Sequence, residues 1–195
     1  MPGEDVPTLL EWARHALAPF GQSPAAHHEK LLDALTGVAE GGCDRLMVLM
    51  PPGMAKSTYA SKLFPAWWFA RHPRSSVIAA SHTASLASHF AGQVRQHMAE
   101  HGDWLGVALD PKTRAVDRFR TLGGGEYFAA GVRGPLVGRR ADLVVIDDPI
   151  KSLAEADSPT HRDHVWDWYR ADLLTRLKPS GRIVLVMTRW HEDDL

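Results

Sequence analysis

The run "VLMPPGMAKSTYA", Val48 to Ala60, joins a short apolar segment to the start of a helical one through a turn built on Pro51, Pro52 and Gly53. A lysine followed by a hydroxyl residue at the opening of a helix is the end of the phosphate-binding pattern GxxxxGK[ST]. Counting back from Lys56, however, both signature glycines are replaced, by Met50 and Ala55. A phosphate cradle needs backbone N–H groups turned inward at a helix N-terminus, an ammonium that reaches the terminal phosphates and a hydroxyl for a magnesium ion. Side chains are demanded only at Lys56 and Ser57. Ala55 is the smallest substitute for the missing glycine and fits if it takes a helical φ, whereas Met50 requires a reshaped turn, which the two prolines supply. An ordinary strand-to-helix turn is the alternative reading of this stretch.

The flanking pattern supports a strand before the loop and a helix after it. "RLMVLM", 45 to 50, is too short for a helix and suits a buried strand; 57 to 72 is helical in pattern and Pro73 closes it. Upstream, Leu9 to Leu17 and Pro24 to Glu40 read as amphipathic helices, the second ended by Gly41 and Gly42. Downstream, "SSVIAAS" (75 to 81) is a second strand, followed by a helix to about His101 with Leu86, Phe90, Val94 and Met98 on one face. Extended runs on either side of Gly123, Gly124 and Gly125 predict a hairpin between Asp117 and Gly131. "ADLVVIDDP" (141 to 149) is a third apolar strand, Ser158 and Pro159 open a helix that runs to Pro179, and "GRIVLVMTRW" (181 to 190) is a fourth strand. Strands alternating with helices predict an α/β fold with a mostly parallel central sheet and helices on both faces.

The third strand ends in Asp147 and Asp148. Two like charges at the tip of a buried strand are costly unless a cation or hydrogen bonds balance them. A nucleotide hydrolase needs such an acid to hold the Mg²⁺ shell. Asp147 would serve the metal together with Ser57, and Asp148 would orient or deprotonate the attacking water. An exposed Asp-Asp-Pro turn is the plainer alternative.

Taken in order, "PPGMAKST", "GRRADLVVIDDPIK" and "LVMTRWHEDDL" resemble the ATPase domain of the large terminase subunit, the motor that packages DNA into the heads of tailed bacteriophages. The similarity runs from about Ser23 to Leu195, with residues 1–22 as a helical extension. The resemblance implies a P-loop NTPase fold of the additional-strand (ASCE) type, in which PPxxxKS is a common form of the first motif. It implies that the loop from Pro52, Gly53, Met54 and Ala55 to Lys56, Ser57 and Thr58 cradles ATP, and that Asp147 is the Walker B acid. Asp148 then falls where many relatives have a catalytic glutamate, with a reach shorter by roughly 1.5 Å, one C–C bond. Thr188 matches the motif that couples the γ-phosphate state to movement. An arginine should stabilise the transferring phosphoryl group, from within the subunit or from a ring neighbour; Arg139 is the first choice, with Arg133 and Arg140 next. Gln22, His27 and His28 lie where the family contacts adenine, although two histidines early on a helix also suit a plain surface. The implied partners are double-stranded DNA, a portal protein, a small terminase subunit and further copies of the chain in a ring. Relatives carry an RNase H-like nuclease after this domain; none of it is expected in these residues, nor any cutting activity.

Composition sets the outer limits. With 195 residues, 45% hydrophobic and 23% charged, one soluble domain is expected. Cys43 is the only cysteine, so no internal disulfide forms. The acidic N-terminal stretch lacks an uninterrupted apolar run, which argues against a signal peptide or membrane span and for a cytoplasmic location in the host cell. Net charge is −1, so any DNA contact must be local. Seven tryptophans suit a helical core or a protein interface better than base stacking. Two other functions remain: a nucleotide-binding ring-assembly module without turnover, and a helicase, which fits poorly because a second motor domain is absent. The motor reading requires Lys56 and Asp147 to meet at adjoining strand tips in one triphosphate–magnesium pocket.

Overall fold

The computed structural model describes residues 6–113 and 115–195. Of the stretch 1–22, residues 1–5 therefore lie outside the described part, and α1 (Leu9–Leu17) follows, capped by Thr8 in a capping box with Glu11. α2 (Ala26–Glu40) ends on Gly41 at φ 86°, the left-handed position that glycine accepts without strain. The first strand, β1 (Arg45–Leu49), leads into the loop at Pro51 to Ala55.

The helix beyond the loop changes its winding. Thr58–Leu63 forms a π turn that continues into α3 (Phe64–Arg71). Pro65 has no N–H to give, so the regular i→i−4 ladder cannot pass through it, and Phe64 N–H instead bonds Tyr59 O. Trp12 Nε1 donates to Leu63 O at 3.0 Å, fixing α1 against this altered segment.

β2 (Ser76–Ser81) leads to α4 (Ala84–Leu105), and the expected hairpin is present as β3 (Arg118–Arg120) and β4 (Glu126–Gly131), with Gly124 at φ 92° in its turn. β5 (Ala141–Asp147) follows, then the short α5 (Leu153–Ala156) and α6 (Pro159–Asp167). After α6 the helical path ends at Arg176, and β6 already begins at Leu177 and runs to Met187. Pro179 was expected to close the helix; it lies instead in the exposed first part of β6, where a register shift against β5 spares the ladder the missing N–H.

The sheet order is β1-β6-β5-β2-β4-β3, parallel throughout except for the β3/β4 hairpin. α1 to α4 cover one face over a core that includes Trp12, Trp67, Trp68 and Phe64. α5 and α6 cover the other, with Trp168 and Leu173 against Val144 and Ile146. The continuous apolar run of β5 is explained by burial on both sides, since Leu143 to Asp147 are all buried. Four of the seven tryptophans are core residues; Trp104, Trp166 and Trp190 keep 39%, 41% and 37% of their surface exposed. No helix among the described residues is long and apolar enough to cross a membrane.

Candidate functional site

Because β1, β6 and β5 run parallel, the residues that follow Leu49, Met187 and Asp147 all emerge at one edge of the sheet. The tips of β1 and β5 were expected to adjoin; instead β6 is inserted between them. The insertion places Thr188, the residue after β6, in the middle of the site. Lys56 Nζ lies 3.1 Å from Thr188 Oγ1 and 3.1 Å from Asp148 Oδ2. Thr188 N–H in turn donates to Asp148 Oδ1 at 2.9 Å. Ser57 Oγ donates to Asp147 Oδ1 at 3.0 Å. Five residues from three remote segments therefore form one network.

The acids have distinct environments. Asp147 is 2% exposed, and burial pushes its carboxyl up to about 6, against hydrogen bonds from Ser61 and Ser57 that pull it down. Asp148 is partly exposed and sits at φ 42°, a left-handed position that aspartate tolerates better than most residues, with its N–H on Val186 O. His82 Nδ1 lies 3.2 Å from Asp148 O. Both Asp148 carboxylate oxygens are engaged, one by the Lys56 ammonium and one by the Thr188 amide. In this arrangement Asp148 acts as the partner of Lys56 and of the β6 tip.

Pro51 to Met54 are exposed, Gly53 takes φ 80°, and Met54 N–H closes a turn on Pro51 O. The condition for Ala55 to fit without strain, a helical φ, is not met: the residue is left-handed at φ 54°. An L-residue there is strained by roughly 1–2 kcal/mol. Ala55→Gly removes that strain but adds roughly 0.4–1 kcal/mol of unfolded-chain entropy, so a net gain of about 0.5–1 kcal/mol is expected. Thermal unfolding should show a midpoint higher by roughly 2 °C; a lower midpoint would mean the turn tolerates the alanine without strain.

The proposed adenine residues divide. His28 reaches the loop, with Nε2 3.2 Å from Met54 O and its ring stacked on Tyr59 at 4.4 Å; burial lowers its pKa. Its neighbour His27 packs against it at 3.8 Å. Gln22 lines a separate cavity of about 450 Å³ with Thr58, Lys62 and Gln96. Arg139 is not brought to the network. It precedes β5, at the opposite edge of the sheet, with its guanidinium 4.7 Å from the Phe128 ring centroid. Seven strand residues separate that edge from Asp147, on the order of 20 Å. Arg140 shares the far edge, whereas Arg133, exposed and left-handed at φ 64°, follows β4 at the near edge and lines a cavity with His164 and Asp167. None of the three arginines touches Lys56, Asp147 or Asp148.

Ser61 was missed by sequence reasoning, although the Ser57/Ser61 spacing of one helical turn was the available signal. Both hydroxyls donate to Asp147, one to each oxygen. The donor set of a serine hydroxyl beside a buried carboxylate suits a small hard cation such as Mg²⁺, which favours oxygen ligands. Among the described residues no cluster of three or more His, Cys, Asp or Glu side chains is placed to hold a metal ion.

No curated protein matches this sequence. Among solved structures, the chain is similar to the large terminase of bacteriophage HK97, at TM-score 0.61 and 11% identity, over 93% of this chain and 37% of that one. It is also similar to the large terminase ATPase domain of Thermus phage P74-26, at TM-score 0.59 and 13% identity, over 90% of this chain and 69% of that one. An arginine-to-alanine mutant of the same domain gives TM-score 0.58 and 15% identity. These likenesses establish the fold, a P-loop NTPase of the additional-strand type with β6 as the inserted strand. The family model described as terminase large subunit, T4likevirus-type, N-terminal, matches residues 47–195, which begins within β1 and takes in every member of the network. The chain belongs to the terminase large subunit family, as its N-terminal domain.

Proposed function

We propose that the chain is a Mg²⁺-dependent ATPase and drives double-stranded DNA into a procapsid. The observation that carries this reading is the meeting of Lys56, Ser57, Asp147, Asp148 and Thr188 at one sheet edge. The loop from Pro52 to Thr58 takes the phosphates, with Gly53 and Ala55 offering backbone N–H groups and Lys56 the ammonium. Ser57 and Asp147 would hold Mg²⁺, which would supply charge neutralisation to the phosphates when bound. His28 flanks the loop on the base side, with Gln22 lining the neighbouring cavity. Asp148 holds Lys56 and the tip of β6 before nucleotide arrives. When the γ-phosphate draws Lys56 away, one Asp148 oxygen is released to accept a proton from the water whose oxygen bonds the γ-phosphorus as the bond to ADP breaks, and Thr188 loses its ammonium contact. The state of the phosphate is thereby transmitted to β6. Arg139 serves the site of a neighbouring copy in a ring. The remaining partners are a portal protein and a small terminase subunit, met in the host cytoplasm.

Phosphate release by the wild type and by Lys56→Ala tests this reading. The variant is expected to lose turnover by on the order of a hundredfold, as for removal of one preorganised electrostatic contact. A second reading is favoured by the capture of both Asp148 oxygens: a ring-assembly module that binds nucleotide without hydrolysing it. Wild type that binds ATP but releases no phosphate at any protein concentration establishes that second reading and ends the first.

A further inference from the structure

The edge of the sheet opposite the nucleotide network carries a cleft of about 760 Å³ between the start of β2 and the start of β6. Arg71, Arg74, Lys178 and Arg182 line it, with His72 between the first two. Asp142 is the only carboxylate among its lining residues, and it is already held by Lys178 Nζ and Ser76 N–H, each at 2.7 Å. Arg71 and Arg74 are exposed and have no ion-pair partner among the described residues. Arg182 Nε lies 4.0 Å from Asp44 Oδ1, too far to hydrogen-bond. A chain with net charge −1 thus places two arginines without ion-pair partners, Arg71 and Arg74, beside two paired cations in one open concavity.

Two features suit the cleft to a polyanion. The Arg182 guanidinium lies 5.9 Å from the Trp68 ring centroid and that of Arg71 5.9 Å from the Trp67 ring, weak contacts that bias both forks toward the cleft. Gly123, in the β3/β4 turn, forms part of the rim and presents only backbone, so a bulky sugar–phosphate chain can approach. Open rims with exposed arginines, and no buried cradle for a single ion, match a linear array of phosphates rather than a small anion. β6 also joins the two edges directly: Arg182 stands at the cleft, and Thr188 stands beside Lys56.

We propose that this cleft grips the phosphodiester backbone of double-stranded DNA, at the sheet edge remote from the nucleotide. The proposal rests on the DNA-translocating reading above and adds the surface on which the duplex is held. Each phosphate contact contributes a slope of about −0.9 to log K against log salt, or roughly an eightfold gain in affinity at 0.1 M relative to 1 M.

The test is the salt dependence of binding of the full chain to a fluorescent 20-base-pair duplex of random sequence. An Arg71→Ala/Arg74→Ala double variant is expected to bind one to two orders of magnitude more weakly at 0.1 M salt, with a slope smaller by about two. Arg71→Lys/Arg74→Lys should restore most of the slope, since point charges still meet phosphates, which excludes a folding defect. DNA-independent ATP turnover should remain at the wild-type level in both variants. Wild-type affinity and slope in the alanine variant overturn the proposal. So does a wild-type chain that hydrolyses ATP but does not bind the duplex, an outcome that leaves the ATPase reading standing. Loss of self-association in sedimentation, with duplex binding unchanged, reassigns the cleft to a neighbouring protein and equally overturns it.

Discussion

An Asp147→Asn variant should lose ATP turnover by roughly a thousandfold and yet unfold at a higher temperature than the wild type at pH 7. Both effects come from one placement. Asp147 is 2% exposed, and its carboxyl titrates at about 6, above the ordinary 3.8, chiefly because burial disfavours the charged form. The folded chain therefore keeps a proton that the unfolded chain has released between pH 4 and 6. Stability falls as pH rises through that window, and above pH 6 the whole penalty remains. The shift corresponds to roughly 3 kcal/mol. Asparagine removes the charge but cannot accept equally well from both Ser57 and Ser61, which returns about 1 kcal/mol. A net stabilisation of roughly 1–2 kcal/mol is expected at pH 7, shrinking toward zero near pH 4. Thermal unfolding of both proteins across pH 4–8 in metal-free buffer measures it. A variant that melts lower at pH 7 would show that the serines fully compensate the charge, and retained turnover would end the proposal that Asp147 holds a metal. Saturating Mg²⁺ and nucleotide should reverse the order of stability, since only the wild type gains a counter-charge.

Much of this arrangement was readable because its parts are local. The apolar runs of β1, β2, β5 and β6, the hairpin glycines and the Lys-Ser step each announce themselves within a few residues. Strand order is a different kind of information. That β6, last in the chain, enters between β1 and β5 depends on packing across the whole sheet, and no periodicity in "GRIVLVMTRW" encodes it. The same limit hid the partner of Asp148: its contact with Thr188 exists only because β6 is central. Ala55 misled for a subtler reason. Its small side chain suggested tolerance of a helical backbone, yet the turn set by Pro51 to Gly53 enforces φ 54°. Pro179 misled through its common role as a helix stop, whereas a register shift against β5 accommodates it within a strand. The position of Arg139 was in fact legible. In "GRRADLVVIDD" it precedes a strand whose far end bears Asp147, so the two cannot meet within one chain.

That separation turns the arginine question into a quantitative one. Arg139→Ala should lower turnover per chain by roughly a thousandfold or more, the range for loss of an arginine that stabilises a transferring phosphoryl group. Within its own subunit Arg139 lies against Phe128, on the order of 20 Å from Asp147 along β5. An effect of that size then requires a neighbour's site, reached head to tail. Mixing separates the cases. An Arg139→Ala chain keeps Lys56 and lacks the arginine, while a Lys56→Ala chain keeps the arginine and lacks the lysine. At equal concentrations in randomly mixed rings, roughly a quarter of head-to-tail interfaces join an intact Lys56 to an intact Arg139. Turnover should return to that fraction of wild type, although each variant alone keeps roughly a hundredth of it or less. An arginine acting within its own chain gives no recovery at any ratio. Arg139→Lys should stay impaired, because an ammonium lacks the two-pronged geometry that a phosphoryl group accepts. Wild-type turnover in Arg139→Ala would pass the role to Arg133, which already stands at the sheet edge that bears Asp147 and Asp148, with a strained backbone.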